Sequence, residues 1–273
     1  MAASSPAPLD PALESLMAFW ADGGVDAMLL EEPVDRIEAG KFVPPPPPAG
    51  RKAPATVQPL RPAQGGGAGA AIAKAKALAA EAADLESLVS AIGAFDGCSL
   101  REGARQAVVW RGRADAPVMV IGEAPGADED AQGQPFVGKA GKLLDKMLAA
   151  AGLADRVLIT NTVFWRPPGN RTPSSEEQAI CAPFLQRAIG LVNPKMLLLV
   201  GGASAKAMLG KEEGILTLHG RWFEWRSEDG AMELPALPTL HPAFLLRQPA
   251  AKKRAWNDLL TLTERLDRPE RPA

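Results

Sequence analysis

The sequence contains no tyrosine, and only two cysteines and two histidines among its 273 residues. Aromatic contacts therefore fall to Phe and Trp. Cys98 and Cys181 form no C-x-x-C, which excludes a sequence-local zinc or redox motif. An excess of one charge is missing too. The formal net charge is −2, so no global basic field marks a nucleic-acid binder, and any such surface must come from local clustering. The longest apolar stretch, "MLLLVGGASAKAML", is interrupted and too short to cross a bilayer. No membrane association is expected. With two thiols and no signal-peptide pattern, the expected location is the reducing cytoplasm. No long heptad repeat or obvious dimer face is present, so a monomer is expected.

Composition changes along the chain. Residues 10–38 carry apolar residues at helical spacing, broken by "DGG", and make 1–38 an N-terminal helical segment. Residues 39–70 hold "PPPPP" and "QGGGAGAA", which cannot build a core and predict a flexible linker. On that tether, 10–38 can dock a protein partner or fold back. Residues 71–94 are Ala-rich and predict a helix leading into the main domain, with Leu85, Leu88, Val89 and Ile92 as one apolar stripe. The domain is expected over 95–266, and 267–273 as a disordered tail.

Within the domain, "VMVIG" (118–122), "RVLITNTVF" (156–164), "KMLLLVGG" (195–202) and "ELPALPTL" (233–240) predict strands. The middle ones are continuously apolar, as expected when both sheet faces are covered. Helical stretches at 139–152, 174–192, 203–210 and 254–266 alternate with them. Ser174 followed by Glu177 predicts a capping box at the start of the second. This alternation predicts an α/β fold with a parallel sheet and helices on both faces. Ligands in such sheets bind beyond the carboxyl ends of the strands.

The first exit is "GEAPGADEDAQGQPFVGKAG" (122–141), with five glycines and four carboxylates around one aromatic ring. Gly122 and Gly126 permit sharp turns and close approach of a ligand. Glu129 and Asp130 put carboxylates beside the pocket, and Phe136 offers a stacking face. An ordinary loop with solvated acids fits the same residues. The embedded "GQPFVGKA" spells a P-loop only in part: Ala140 stands where the magnesium-binding hydroxyl belongs, and Pro135 removes an amide. At the second exit, Asn161 offers a donor and an acceptor suited to a pyrimidine edge, or simply ties a loop. "RPPGNR" follows, a stiff turn with Arg166, Asn170 and Arg171 placed for phosphate contact, or simply a surface turn. At the third, "GGASAKAMLG" puts Ser204 near a helix start, as an anion site or as a plain cap. The fourth is "TLHPAFLLRQPAAKKR" (239–254). His241 stands at a strand end with Pro242 after it, which biases it to an extended conformation. Phe244, Leu245 and Leu246 are expected on the following loop. Arg247, Lys252, Lys253 and Arg254 form a local basic cluster, and apolar wedges flanked by cations are how proteins kink DNA. His219, in "LHGRWFEW", is read as structural, with strand or hairpin neighbours.

Together, "GEAPGADEDAQGQPFVGKAG", "ITNTVFWRPPGNRTP" and "LHPAFLLRQP", in that order, resemble the family 4 branch of the uracil-DNA glycosylase superfamily, over about residues 95–264. The resemblance implies a three-layer α/β/α sandwich around a mainly parallel central sheet, and hydrolysis of the N-glycosidic bond of uracil in DNA, with the base flipped into a pocket. It implies that Phe136 stacks on uracil, Asn161 reads its edge, His241 stabilises the departing base, Glu129 positions or activates water, and Gly122 and Glu123 line the pocket. The loop after His241 would enter the minor groove, with Leu245 or Leu246 filling the gap.

The chain departs from the family at its cofactor. Members typically bind a four-iron, four-sulfur cluster through four cysteines. Here the corresponding positions hold Phe95, Cys98, Trp165 and Cys181, so no cluster is expected, with Phe95 and Trp165 packing into its space. A related branch forms covalent DNA adducts through a loop histidine. "RPPGNRTPSS" has none, so turnover without a cross-link is expected. Two other functions fit the same motifs: a glycosylase for another deaminated base, and an inactive DNA-binding or partner-recruiting relative.

Overall fold

A computed structural model describes residues 67–268. The expected helical segment 10–38, most of the linker and residues 269–273 lie outside them. The helices are α1 (Gly67–Glu81), α2 (Leu85–Ala94), α3 (Leu100–Gly103), α4 (Ala127–Gln132), α5 (Lys139–Ala150), α6 (Ser175–Val192), α7 (Gly202–Leu209), α8 (Ile215–Leu218), α9 (Pro242–Arg247) and α10 (Lys252–Asp267). The strands are β1 (Trp110–Gly112), β2 (Val118–Gly122), β3 (Val157–Asn161), β4 (Met196–Val200), β5 (Phe223–Arg226) and β6 (Glu233–Thr239).

The strands form one sheet in the order β1-β3-β2-β4-β6-β5. β2, β3, β4 and β6 run parallel, and the short edges β1 and β5 are antiparallel to their neighbours. Every residue of β2, β3 and β4 is buried. Successive side chains alternate between faces. Met119, Ile121, Leu158, Leu197 and Leu199 meet α1, α2, α6 and α7 on one side. Val118, Val120, Val157, Ile159, Leu198 and Val200 meet Leu144 and Leu148 of α5 and Leu259, Leu262 and Leu266 of α10 on the other. The result is the three-layer α/β/α sandwich. β1 was not foreseen, because three residues are too few to show a period, whereas β5 falls largely within "LHGRWFEW", read as strand or hairpin.

Several boundaries differ from expectation. The helix expected over 71–94 is two. Asp84 caps α2, its carboxylate accepting from the Ser87 amide (2.8 Å) while Ser87 Oγ accepts from the Asp84 amide (3.1 Å). α1 begins at Gly67, within the expected linker. Its alanines pack close against the sandwich, with Ala75 and Ala79 buried, and that packing overrides the glycine-rich composition. The stripe on α2 is narrower than expected: Leu88 and Ile92 are buried, whereas Val89 is exposed. α10 runs through Asp267, in the expected tail, because that carboxylate takes the Arg156 guanidinium at 2.6 Å. At α6 the Ser174–Glu177 capping box forms as expected.

The segment after His241 is a helix rather than a loop. Proline fits the first helical position, where its fixed φ is preorganised and no N–H is needed. His241 (φ −67°, ψ 135°) is extended, and α9 starts immediately after it. One turn of helix sends Leu245 inward to pack with Leu240 and Ala255. Leu245 is therefore a core residue and not a DNA wedge, while Leu246 stays exposed. Truncating a buried leucine costs about 2–5 kcal/mol. Leu245→Ala is expected to lower unfolding stability by that amount and Leu246→Ala by less than about 0.5 kcal/mol, as measured by denaturant titration.

Candidate active site

β2 and β3 are neighbours in register, with Gly122 opposite Asn161. Their two exit loops therefore start side by side. A Cβ at position 122 would lie 2.5 Å from both Asn161 Oδ1 and the Phe136 ring, so only glycine lets these two groups converge. Phe136 itself is held at φ 56°, a left-handed conformation that a bulky residue adopts only under external constraint. The constraints are visible. Arg111 on β1 donates from Nε to the Pro135 carbonyl (2.7 Å) and from Nη2 to the Phe136 carbonyl (3.2 Å), and pairs with Asp145 at 2.6 Å. On the other side, Glu129 accepts from the amides of Val137 (3.0 Å) and Gly138 (2.9 Å) with one oxygen and from Gly126 (3.1 Å) with the other.

The carboxylate of Glu129 thus ties both ends of the loop together, and three backbone donors occupy it. Glu123 differs. Thr162 Oγ1 donates to its backbone carbonyl at 2.6 Å; the residue lines the cleft, and no side chain or amide among the described residues bonds its carboxylate. Of the two acids, Glu123 is the one free to meet a substrate or water.

His241 arrives from β6, beyond β4 in the sheet. The exit of β4 makes room for it: Gly201 has φ 94°, and a Cβ there would sit 3.1 Å from that of His241. The imidazole lies 5.8 Å from the Phe136 ring, inclined by 30°. Its Nδ1 accepts from the Ala243 amide at 3.1 Å. An amide can only donate, so the ring proton of neutral His241 sits on Nε2. Burial, then the charge of Arg247, pushes its pKa down to about 4, against a weaker upward pull from Glu129. His241 is therefore a neutral hydrogen-bond donor at physiological pH.

These residues line one cleft of about 610 Å³, with Pro125, Ala140, Pro167, Asn170, Arg171 and Phe244 on its walls. Its deepest polar group is the most informative. Asn161 is 1% exposed, and neither its Nδ2 nor its Oδ1 has a partner. Leaving buried polar atoms unpaired costs about 1–3 kcal/mol each, so this amide is set for a ligand that supplies both an acceptor and a donor. A second cleft, about 600 Å³ between α1, α6 and the turn after β5, has no such group. Its Lys76 pairs with Glu228 at 2.7 Å, and its Arg187 donates to the Ala82 carbonyl.

The expected DNA-contacting residues separate into groups. Ser204 is wholly buried and donates to the Ile121 carbonyl at 2.6 Å. It ties α7 to β2 and is not an anion site. Arg171 lies at the cleft but is bidentate to buried Glu177 (2.6 and 2.8 Å), so its charge is already matched. Arg166 donates to Asn170 Oδ1 at 2.7 Å. Leu246, Arg247, Lys252, Lys253 and Arg254 are exposed along α9 and the first turn of α10. Arg111, Gly201 and Glu177 escaped the sequence reading. Only Glu177 left a signal there, as a helix cap.

The fold is a three-layer α/β/α sandwich with its pocket at the carboxyl ends of β2, β3 and β6. The family model of the uracil DNA glycosylase superfamily matches residues 109–260. A type-4 uracil-DNA glycosylase of Pyrobaculum aerophilum is 39% identical over 181 residues, 64% of this chain and 91% of that protein. One from Sulfurisphaera tokodaii is 37% identical over 180 residues (64% and 81%), and one from Archaeoglobus fulgidus 32% over 185 residues (66% and 92%). The chain belongs to the uracil-DNA glycosylase superfamily.

The iron–sulfur cluster implied by the type-4 resemblance does not fit the residues present. Cluster ligands are thiolates. At the four expected positions stand two rings, Phe95 and Trp165, and two thiols, Cys98 and Cys181, all buried. The two thiols share one hydrogen bond, which lowers the Cys98 thiol and, together with burial, raises the Cys181 thiol. Among the described residues no group of three or more His, Cys, Asp or Glu is placed to hold a metal ion.

The neutral His241 sets a pH dependence. A donor that protonates near its ordinary value would lose half its neutral form close to pH 6.5. With its pKa near 4, the acid limb of kcat attributable to His241 is expected well below that, with activity flat from pH 6 to 8. The same depressed value makes folding favour the neutral ring, so this group's stability contribution is lost as pH falls from its unfolded value toward 4. A pH–rate profile with single-turnover kinetics checks the first point.

Proposed function

We propose that this protein hydrolyses the N-glycosidic bond between uracil and deoxyribose in DNA, leaving an abasic site for base-excision repair. The observation that carries this reading is the buried, doubly unpaired amide of Asn161 beside the face of Phe136. Uracil presents a carbonyl oxygen and a ring N–H side by side. One Asn amide satisfies both, while Phe136 stacks on the ring. Cytosine presents the reverse pattern, an acceptor beside an amino donor, which the amide meets only when turned over.

The chemistry follows from the charges that develop. As the bond to C1′ breaks, uracil gains negative charge and the sugar gains positive charge. Neutral His241 donates its Nε2–H toward a uracil carbonyl oxygen, and a donor preorganised against developing charge contributes about 10²–10³ in rate. The Glu123 carboxylate offsets the sugar cation and orients the water that adds to C1′, whose proton it accepts. Uracil leaves as the anion and is protonated afterwards. Glu129 is a positioning residue in this scheme, holding the Phe136 loop and adding its charge nearby. No step uses a cluster, and we infer that the enzyme carries none.

The base must leave the stack to reach this cleft. Exposed Leu246 stands beside Arg247 at the cleft and is the wedge this reading assigns. Lys252, Lys253 and Arg254 support it: they crowd the first turn of α10, where the helix dipole disfavours cations by about 0.3–1 kcal/mol each. Phosphates at that position would offset the cost. The same reading makes the chain a cytoplasmic monomer that releases its product without a DNA cross-link.

Alkali-revealed strand cleavage of a uracil-containing oligonucleotide, beside a panel of other deaminated bases, tests the assignment. Wild type is expected to cut at uracil. Asn161→Ala, His241→Ala and Glu123→Gln are each expected to lose about 10²-fold or more in kcat/KM with little change in unfolding temperature. Glu129→Gln is expected to lose activity and also several degrees of thermal stability, because an NH2 would face backbone N–H groups. Binding without cleavage by wild type would overturn the assignment.

A further inference from the structure

The four rings near the cysteines form a closed cycle. Phe95 meets Trp165 (6.3 Å between centroids) and Phe184 (5.2 Å), and Phe164 meets the same two at 6.2 and 6.4 Å. Three of the four contacts are edge-to-face, the arrangement aromatic quadrupoles favour. All four rings are at most 2% exposed. The backbone is adapted to them: a Cβ at Gly97 would lie 2.5 Å from the Phe95 ring. A single chance substitution at a ligand position would leave a cavity or a clash. Here two rings, a facing glycine and two further rings fill the space together.

This cycle also reaches the cleft. Trp165 is followed by Arg166 and Pro167, and Pro167, Asn170 and Arg171 form one wall of the cleft. The wall is anchored at both ends. Trp165 fixes its start in the ring cycle, and Glu177 of α6 fixes its end through Arg171. One turn further along α6, Cys181 enters the same core as the rings, and Phe184 belongs to the cycle.

We propose that the Phe95–Trp165–Phe164–Phe184 cycle replaces the family's iron–sulfur cluster as a metal-free anchor, and that Trp165 is thereby a positioning residue for the cleft wall 167–171. The wall's stability then depends on packing and not on iron or on redox state.

The test has two arms on the full chain. In the first, protein purified without air is assayed for iron and sulfide and unfolded thermally with and without a chelator. Iron well below stoichiometric and an unchanged midpoint are expected, whereas about four irons per chain, or a midpoint that falls on chelation, overturns the proposal. The second compares wild type with Trp165→Ala and Trp165→Phe, and with Phe95→Leu should Trp165→Ala not fold. Loss of the anchor is expected to raise KM for uracil-DNA about tenfold with kcat within about threefold, and the Phe variant to restore it. Amide hydrogen exchange over 169–177 is expected to quicken in parallel. A folded Trp165→Ala with wild-type exchange, or a loss confined to kcat, overturns it. The KM readout rests on the uracil assignment, whereas iron content and exchange do not, so failure of that assignment leaves this proposal decided.

Discussion

The left-handed backbone of Phe136 is the constraint on which the site depends. The Phe136 ring lines the pocket from a backbone conformation that a bulky residue seldom adopts. The fold supplies the opposing forces: Arg111 on the carbonyl side, Glu129 on the following amides, and α5 pressed so close that a Cβ at Gly141 would fall 1.7 Å from the Phe136 carbonyl oxygen. A strained φ of this kind costs about 1–3 kcal/mol, and three hydrogen bonds to a carboxylate, with two from a guanidinium, are enough to hold it. The ring position then dictates Gly122, which dictates how near Asn161 can come.

The polar groups of the cleft divide into committed and uncommitted ones, and the division is what gives each its role. Glu129, Arg171 and Asn170 are engaged with the protein itself. Asn161 and Glu123 are not. His241 is engaged at Nδ1 only, which leaves Nε2–H for a ligand. Buried polar atoms are ordinarily paired; among the described residues the only buried side-chain nitrogen or oxygen atoms without a partner are the two of Asn161 and, outside the cleft, Trp110 Nε1. The uncommitted set also separates this cleft from the second one, which is of similar volume but internally neutralised.

Much of this was legible before any coordinates. The alternation of strands and helices predicted the layered α/β fold, and the apolar runs at 118–122, 157–161 and 196–200 are the buried central strands. The three motif loops do meet at one cleft, and Phe95 and Trp165 are packed among other rings. The misreadings share a cause. Leu245 and Leu246 are adjacent and chemically identical, and only the turn of α9 buries one and exposes the other. Ser204 beside a Gly-Gly turn has the composition of an anion site, yet its hydroxyl faces β2. Sequence also does not separate Glu129 from Glu123: both line the cleft, and only the fold shows that three amides already meet the Glu129 carboxylate.

The sequence by itself determined the layers, the loops that hold the chemistry and the absence of a four-thiol ligand set, since those follow from periodicity, local turn chemistry and residue identity. The tertiary structure alone decided which carboxylate is free, which tautomer His241 adopts, that Arg111 from an edge strand clamps the Phe136 loop, and that the core near the cysteines closes into a cycle of rings. The Arg111 clamp and the ring cycle join groups far apart in sequence (Arg111 with Pro135, Phe95 with Phe184), whereas Glu129 and His241 meet amides close by in sequence whose placement the fold sets. Hydrogen bonds and charges act over a few ångströms, so distance along the chain carries no record of them.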